Sequence, residues 1–327
     1  MKVLVTGGTG FTGSHLVRRL LERGHAVRVL DQAPGLFHDE LSELGADVWL
    51  GSVTDPTLVG RAVEGCEVVH HLAAAFRKIN LPKRIYWQVN VEGTRNVCAA
   101  SLAGGVKKVV YCSTQGVHGD IKNPPGDEDS PIAPEDYYQF TKFEGERVVL
   151  EQVEKGLDAT ILRPTAIYGP GDPGRFLLIF RQVMRGRFYM FSNGKAFYHP
   201  LYIDNLVDAF ELAAATPVSR GRAYLIADRR YCTIEELVRG AAEALGVPIR
   251  IQKLPFRPLW LAAVACEVIC TPFGVEPPLF RRRVDWFRQN RAFKITRAHT
   301  DLGYDPKVDL PSGLAMTARW YRDHKYL

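Results

Sequence analysis

Tyr138 and Lys142 stand four residues apart in the segment YQFTK, and on a helix that spacing puts both on one face. A free phenol has a pKa of about 10 and is a poor base near neutrality. An ammonium one turn away favours the phenolate and brings it toward the working range, so the pair can serve as an acid–base device. The same spacing also occurs on solvated helix faces. Upstream, the segment YCSTQGVHG places Ser113 and Thr114 directly after an apolar run over residues 108–111. On a parallel strand these hydroxyls would stand at the end where ligands bind, positioned to hold an alcohol and pass its proton toward Tyr138. Hydroxyls in such places also cap helices and turns.

The elements that must position these groups begin at the first strand. Residues 3–5 are an apolar β-branched run, a glycine cluster follows, and Gly13, Leu16, Val17, Leu20 and Leu21 then recur on one helical face. This predicts strand, tight turn and helix. Gly8, Gly10 and Gly13 fit the spacing GxGxxG, while Gly7, Gly10 and Gly13 fit GxxGxxG. Glycine suits such a turn because positive φ is needed, because a side chain would hold the backbone off a pyrophosphate, and because helix and strand pack closely. The helix N-terminus then aims N–H groups at phosphates. A second apolar run over residues 26–30 ends in Asp31, 18 residues past Gly13, where a carboxylate can accept hydrogen bonds from adenosine ribose hydroxyls. Together these features predict a dinucleotide site. Asp31 repels a 2′-phosphate and no Arg follows it directly, so NAD rather than NADP is the expected cofactor. Taken alone, Asp31 also reads as an ordinary turn residue.

The 327 residues suit a dinucleotide domain with a smaller appended lobe. A composition of 46% hydrophobic and 24% charged residues is that of an ordinary soluble globular protein. The net charge is +6, and seven Lys or Arg fall between residues 281 and 297, opposed only by Asp285. An anionic substrate, an anionic membrane surface or nucleic acid can each use such a cluster, as can a solvated helix face. No recognised nucleic-acid motif accompanies it, so no nucleic-acid partner is expected. Six cysteines without CxxC pairs read as reduced thiols of a cytoplasmic protein. No signal peptide precedes the first strand. The longest apolar stretch, residues 259–273, is interrupted by Glu267 and is shorter than the roughly 20 residues that span a bilayer. No integral span is expected. His70, His71, His118 and His199 lie in separate segments without ligand spacing, and no metal is expected.

Further along, strands are predicted over residues 47–50, 68–72, 108–111 and 159–162, with helices over 58–62 and 86–102 and a helix carrying Tyr138 and Lys142. Such alternation implies an α/β fold, a doubly wound parallel sheet of Rossmann type. Residues 120–136 read as a Pro- and acid-rich surface loop. From residue 163 the regularity breaks. Helices are expected over 176–185, 205–215, 233–245, 259–268, 279–287 and 313–322, and strands over 188–191, 201–203, 223–227 and 249–252. Residues 1–170 form the expected NAD-binding domain, and residues 171–327 mainly a substrate lobe with some segments returning to the sheet.

With these motifs in place, the chain resembles the extended short-chain dehydrogenase/reductases, the NAD-dependent epimerase/dehydratase family. The resemblance runs the full length through TGGTGFTG at residues 6–13, Asp31, HLAAA from His71, NVEGT from Asn90, CST followed by VHG, YQFTK, and LRPTAIYGPGD from Leu162. It implies that Thr114 is the catalytic Ser/Thr, Tyr138 the base and Lys142 its partner. Phe11 and Thr12 would offer backbone contacts to the pyrophosphate and Val53 an adenine contact, with Ser52 a weaker hydroxyl where relatives often have Asp. Ala73 and Asn90 would wall the cofactor, and the implied NAD-binding set also includes Gly7, Gly10, Gly13, Asp31, Leu72, Ala75, Ser113, Pro164 and Ile167. Gln115 and Gly116 replace the Asp-Glu pair of sugar dehydratases, which argues against dehydration. Epimerases commonly carry an Asn near Ala166 and an Arg near Tyr198, and neither polar group is present.

Other segments resemble the 3β-hydroxysteroid dehydrogenase-like branch: LYIDNLVDAF from Leu201, GRAYLIAD from Gly221, EPPLFRRRVDWF from Glu276, and the apolar LPFRPLWLAAVACEVICTPFGV from Leu254. Within the last, Trp260, Leu261, Val264, Val268 and Ile269 recur at helical spacing. That segment is either a lobe helix buried in the core or an apolar lid for a hydrophobic alcohol, with peripheral contact to a membrane surface as one consequence. The expected activity is NAD-dependent oxidation or reduction of a secondary alcohol or ketone on a steroid- or lipid-like small molecule. A nucleotide-sugar 4-epimerase that keeps its NAD is the alternative, sustained by the basic cluster. A non-catalytic NAD-binding module fits poorly with an intact Thr, Tyr and Lys set. In many relatives the helices carrying Asn90 and Tyr138 pair as a four-helix dimer interface, so a homodimer is expected, with Val97, Val148 and Val149 as apolar contacts.

Overall fold

Short β-branched runs separated by amphipathic stretches become strands and helices of a layered α/β structure. The computed structural model describes residues 1–76, 81–273, 275 and 277–327. In chain order these hold β1 (Lys2–Thr6), α1 (Phe11–Glu22), β2 (Ala26–Asp31), α2 (His38–Glu43), β3 (Asp47–Leu50), α3 (Pro56–Val63), β4 (Val68–His71), α4 (Lys83–Trp87), α5 (Gly93–Ala103), β5 (Lys108–Cys112), α6 (Tyr137–Glu154) and β6 (Ala159–Pro164). There follow β7 (Ala166–Tyr168), α7 (Arg175–Met184), β8 (Arg187–Met190), β9 (Phe197–Tyr198), β10 (Pro200–Tyr202), α8 (Ile203–Ala215), β11 (Ala223–Ile226), β12 (Cys232–Thr233), α9 (Ile234–Leu245), β13 (Arg250–Lys253), α10 (Phe256–Cys270), α11 (Arg281–Asp285), α12 (Thr296–Leu302) and α13 (Leu310–Asp323).

Seven strands form one sheet in the order β11-β6-β5-β4-β1-β2-β3, and every neighbouring pair is parallel. Val3 of β1 lies opposite Val27 of β2 on one side and Val68 of β4 on the other. Strand order reverses at that point, which opens a crevice at the carboxyl ends of β1 and β4. One face of the sheet is covered by Leu16 and Val17 of α1, Leu206 and Phe210 of α8, and Ala298 and Leu302 of α12. The opposite face is covered by Val59 and Val63 of α3, Val97 of α5 and Val149 of α6. A third core, with Phe176 and Phe180 of α7, Leu237 and Ala241 of α9, and Leu314 and Tyr321 of α13, belongs to the lobe. β11 comes from late in the chain yet completes the main sheet by pairing with β6.

Several expectations change. The helix expected over 86–102 is α4 and α5 joined by a π-helical turn over Gln88–Glu92, a widening that tends to mark functional sites. The helix expected over 279–287 shrinks to the five residues of α11. Helices α2 and α12 were not anticipated, being only 6 and 7 residues long and too short to display an apolar period. Val97, Val148 and Val149 are buried in the chain's own core, so they cannot supply contacts to a second protomer. Of α10 only Ala263 is buried. Trp260 and Val264 are half-buried, and Leu261, Val268 and Ile269 are exposed, so the apolar segment is not a core helix. Gly274 and Glu276, at the end of that segment and the start of EPPLFRRRVDWF, lie outside the described residues. Among the described residues no helix is long and apolar enough to cross a membrane.

Candidate active site

The turn between β1 and α1 is built from close backbone approaches. Gly7 has φ +73°, and a Cβ there would sit 2.8 Å from the Ala73 nitrogen. A Cβ on Gly13 would sit 2.2 Å from the Gly7 carbonyl oxygen, so neither position accepts a side chain without displacement. Gly7, Gly10 and Gly13 face the main cavity of the molecule, whereas Gly8 packs against Val29. Of the two glycine spacings, GxxGxxG is therefore the one that shapes the crevice. Asp31 at the end of β2 accepts hydrogen bonds on Oδ2 from the Thr9 amide (3.0 Å) and hydroxyl (2.7 Å) and on Oδ1 from the Gln32 amide (2.8 Å). The carboxylate thus fastens the glycine turn while facing the cavity.

That cavity, about 1380 Å³, runs from the glycine turn across the strand ends into the lobe. Of the residues expected to hold NAD or perform chemistry, Gly7, Gly10, Phe11, Thr12, Gly13, Asp31, Ser52, Val53, Leu72, Ala73, Ser113, Thr114, Tyr138, Lys142, Pro164 and Ile167 line it. Ala75 and Asn90 are not among the residues that line it. The Asn90 amide is used internally: its Nδ2 donates to the Ala75 carbonyl (3.2 Å) and the Thr141 hydroxyl (3.0 Å), and its Oδ1 accepts from the Ala75 amide (2.8 Å). From the π-helical turn it braces the segment after β4 against α6.

Helix α6 starts where Asp136 caps it, its carboxylate accepting from the Gln139 amide at 2.8 Å. Tyr138, Lys142 and Glu146 then follow one turn apart. Tyr138 is buried, its ring edge-on to Phe76 at 5.2 Å. Lys142 is fully buried, its Nζ lies 4.1 Å from the centre of the Tyr111 ring, and that Nζ has no hydrogen-bond partner in the protein. Burial lowers its pKa to about 8. An unpaired ammonium in a cavity wall fits a ligand hydroxyl pair such as a ribose. The glycine cradle, Asp31 and this ammonium together fit NAD.

The two hydroxyls after β5 differ. Thr114 accepts from the Gly116 amide (3.1 Å) and faces the cavity. Ser113 donates to Glu146 Oε1 (2.5 Å), and Glu146 takes a two-pronged contact from Arg163, Nε at 3.0 Å and a terminal nitrogen at 2.6 Å. Ser113 is therefore committed to a buried ionic group that ties β5 and β6 to α6. His118 faces Arg163 at 3.1 Å, and burial followed by that guanidinium lowers its pKa. Burial also takes His70 and His71 to about 3 and His199 to about 4, leaving all three neutral. His71 bridges the hydroxyls of Thr6 (2.7 Å) and Thr94 (3.0 Å) and is structural. Among the described residues no three His, Cys, Asp or Glu gather as a metal site.

The lobe end of the cavity was foreseen only in part, through Tyr198 and the segment EPPLFRRRVDWF. Asp172, Arg175, Leu178, Phe188, Tyr198, Phe280, Arg283, Trp286, Phe287 and Arg291 line it. Asp172 accepts from the Gly174 amide at 2.7 Å, and burial pushes its carboxyl up to about 7. Buried Gln115 Oε1 and Trp286 Nε1 have no hydrogen-bond partner in the protein. The sequence had marked Tyr198 and the EPPLFRRRVDWF segment by resemblance, and the PGDPG turn at residues 170–174 marks a loop but not what it faces. No residue of α10 lines the cavity, so Trp260, Leu261, Val264, Val268 and Ile269 form no lid. The basic cluster also disperses. Arg291 reaches Glu135, Arg297 reaches Glu128 and Asp129, Lys294 approaches Asp127, Arg288 pairs with Asp285 and Arg281 with Glu267. The acids of the 120–136 loop are the partners that the local sequence did not reveal.

Residues 3–227 match the family described as NAD dependent epimerase/dehydratase family. A 2-alkyl-3-oxoalkanoate reductase of Stenotrophomonas maltophilia is 32% identical, the alignment covering 96% of this chain and 97% of that protein. A 3-beta-hydroxysteroid dehydrogenase of Mycolicibacterium neoaurum is 32% identical over 98% of this chain and 92% of that protein. Among solved structures, a dTDP-glucose 4,6-dehydratase of Streptomyces venezuelae with NAD bound superposes with a TM-score of 0.79 at 26% identity, covering 99% of this chain and 98% of that one.

Proposed function

Because this chain belongs to the NAD-dependent epimerase/dehydratase family, whose members are NAD-dependent enzymes, we propose that it oxidises or reduces a secondary alcohol or ketone on a hydrophobic, steroid- or lipid-like substrate. When bound, NAD supplies or accepts the hydride. The glycine turn, Phe11 and Thr12 hold its pyrophosphate end, Asp31 its adenosine ribose, Ser52 and Val53 its adenine, and Lys142 the ribose next to the reacting ring. Tyr138 takes the substrate hydroxyl proton, relayed by Thr114, or returns it to a ketone. The Lys142 ammonium, set in an apolar wall, holds down the energy of the phenolate.

The observation that carries the substrate class is the lobe wall, where Leu178, Phe188, Tyr198, Phe280, Trp286 and Phe287 face the cavity. Such a wall favours an apolar skeleton, at about 0.8 kcal/mol per buried methylene, and Gln115 and Trp286 offer it a few polar anchors. Ala166 and Tyr198 bring no charge for a diphosphate, and the Asp172 carboxyl on the same cavity wall repels one once ionised. Two relatives are named as a 2-alkyl-3-oxoalkanoate reductase and a 3-beta-hydroxysteroid dehydrogenase, which supports this reading. Arg175 and Arg283 on the same wall favour the second reading, a nucleotide-sugar 4-epimerase that retains NAD. A screen of hydroxysteroid-like and long-chain secondary alcohols against UDP- and dTDP-sugars, read by NADH absorbance and product analysis, decides between them. Net NADH formation with an apolar alcohol is expected. Epimer formation from a nucleotide sugar without net NADH sinks this reading.

In this reading residues 1–170 hold the cofactor and residues 171–327 mainly the substrate. The homodimer is retained with different contacts, since Trp87, Phe140 and Leu150 are the large apolar residues exposed on α4 and α6. A monomer mass in light scattering at micromolar concentration removes that part.

A further inference from the structure

The apolar helix α10 faces outward. Leu261 is 62% exposed, Val268 67% and Ile269 64%, and Phe273 and Val275 beyond its end are 79% and 56% exposed. Five of the twenty large apolar side chains exposed on the described surface thus fall within residues 261–275. Leu261, Ala265 and Val268 share one face at spacings of four and three, with Ala262, Ile269 and Phe273 beside them, so the exposure forms a continuous stripe. Contiguous apolar surface of this kind marks an interaction site.

Charge says what covers it. Residues 253–288 hold six Lys or Arg against three Asp or Glu; Lys253, Arg281 and Arg288 pair with Glu235, Glu267 and Asp285, so the cations that matter here are Arg257 and Arg283. Arg257 is exposed one turn before Leu261 on the same face, and Arg283 is exposed at the cavity edge. A second copy of this chain on the stripe would bring the same cations face to face, whereas anionic lipid headgroups neutralise them while the acyl region takes the apolar side chains. The stripe is also wired to the cavity. The Glu267 carboxylate accepts from the backbone amide (2.7 Å) and Nε (2.6 Å) of Arg281, at the start of α11. Phe256 lies under the Arg288 guanidinium at 5.4 Å. Between those two ties sit Trp286 and Phe287 of the cavity wall.

We propose that α10 and the turn after it dock on the anionic surface of a lipid bilayer and hold the lobe end of the cavity at that surface. The benefit to catalysis rests on the reading of the substrate as lipid-like, because such a molecule then enters from the apolar phase without crossing water. The docking itself does not depend on that reading.

The test is co-sedimentation of the full chain with phosphatidylcholine vesicles with and without phosphatidylglycerol, at low and high salt. Binding to the anionic vesicles is expected to be at least about tenfold tighter than to phosphatidylcholine alone and to weaken with salt. Leu261→Asp with Ile269→Asp is expected to lower it by at least about tenfold, and Arg257→Gln to lower it by several-fold with a shallower salt dependence. NAD binding, followed by tryptophan fluorescence, stays at the wild-type value in each variant and reports an intact fold. Absence of anionic-vesicle binding at low salt overturns the proposal. So does an oligomer in light scattering that the Leu261/Ile269 variant converts to a smaller species, because the stripe is then a self-association face. The two readings fail separately: lost vesicle binding removes the docking whatever substrate is turned over, and epimerisation of a nucleotide sugar by vesicle-bound protein removes the lipid-like substrate while supporting the docking.

Discussion

At the glycine turn the cavity wall is backbone, and at the lobe end it is side chains. Gly7 and Gly13 approach each other and Ala73 so closely that a single added carbon collides with main-chain atoms, and the carboxylate of Asp31 is fixed by two amides and a hydroxyl. The opposite end draws on four separate stretches, around Asp172, Phe188, Tyr198 and Trp286, and the long side chains there pack on one another rather than on a fixed backbone turn. Arg175, for example, lies 5.3 Å from the Trp286 ring centre, and Trp286 lies edge-on to Tyr198 at 5.8 Å. A wall of backbone can accept only one ligand geometry. A wall of side chains can be reshaped by substitution without moving the frame, which suits a site whose substrate differs between relatives.

Chemistry should depend most on the junction between the two ends. Tyr138→Phe is expected to lower kcat by about two to four orders of magnitude, the usual contribution of a positioned acid or base, with NAD affinity unchanged by fluorescence titration; wild-type kcat would place the proton transfer on another residue. Next comes the backbone end itself. Gly13→Ala forces the turn apart, and overpacking of about 1–3 kcal/mol should appear as a rise in the NAD dissociation constant of about tenfold or more. An unchanged constant would mean that the turn yields, and the contrast between the two ends would collapse.

At the lobe end the effects should be smaller and fall on substrate and pH. Asp172 has its pKa raised by burial from 3.8 to about 7, so between those values the native protein binds more protons than the unfolded chain. Its contribution to stability is present at low pH and is lost as pH rises through about 7. Asp172→Asn keeps an acceptor for the Gly174 amide and removes the titration. The variant should gain on the order of 4 kcal/mol over wild type above pH 7 and show a flatter melting temperature between about pH 4 and pH 7. A pH profile identical to wild type would show that this carboxyl is not the titrating group. Last, Trp286→Phe keeps the ring and deletes the unpartnered N–H. Loss of one hydrogen bond of about 0.5–1.5 kcal/mol should raise KM for the substrate by several-fold and leave kcat and NAD affinity alone; a raised NAD constant would blur the division that the comparison draws.

The same contrast decides what was legible beforehand. Glycine spacing, the acid closing β2, the strand-end hydroxyl and the Tyr–Lys spacing are local patterns, and all of these residues reach the cavity. Asn90 and Ala75 were recognisable by resemblance, but their hydrogen bonds to each other and to Thr141 depend on a π-helical turn that periodicity reads as ordinary helix. The basic cluster looked almost unopposed because the acids that Arg291, Lys294 and Arg297 meet sit more than a hundred residues earlier. Helix α10 looked like core or lid because an apolar run has the same appearance whether protein, substrate or solvent lies against it. Tyr198 and the EPPLFRRRVDWF segment were recognisable by resemblance, but their meeting with Asp172 in one wall was not, because no short spacing links Asp172 to Trp286.

The late strand β11 has a consequence for how the molecule is made. All six residues of β6 are buried in the finished sheet, yet their outer neighbour, Ala223–Ile226, is synthesised about sixty residues later. During synthesis β6 therefore waits as an open, apolar edge, the kind of surface that recruits strands from other chains. Of the helices that cover one face of the sheet, α8 is synthesised shortly before β11 and α12 well after it. A nascent chain that stalls near residue 170 holds every cofactor contact proposed above and lacks the neighbours that keep it from aggregating. In the finished molecule, residues 1–170 share their sheet with a strand, β11, that lies outside them.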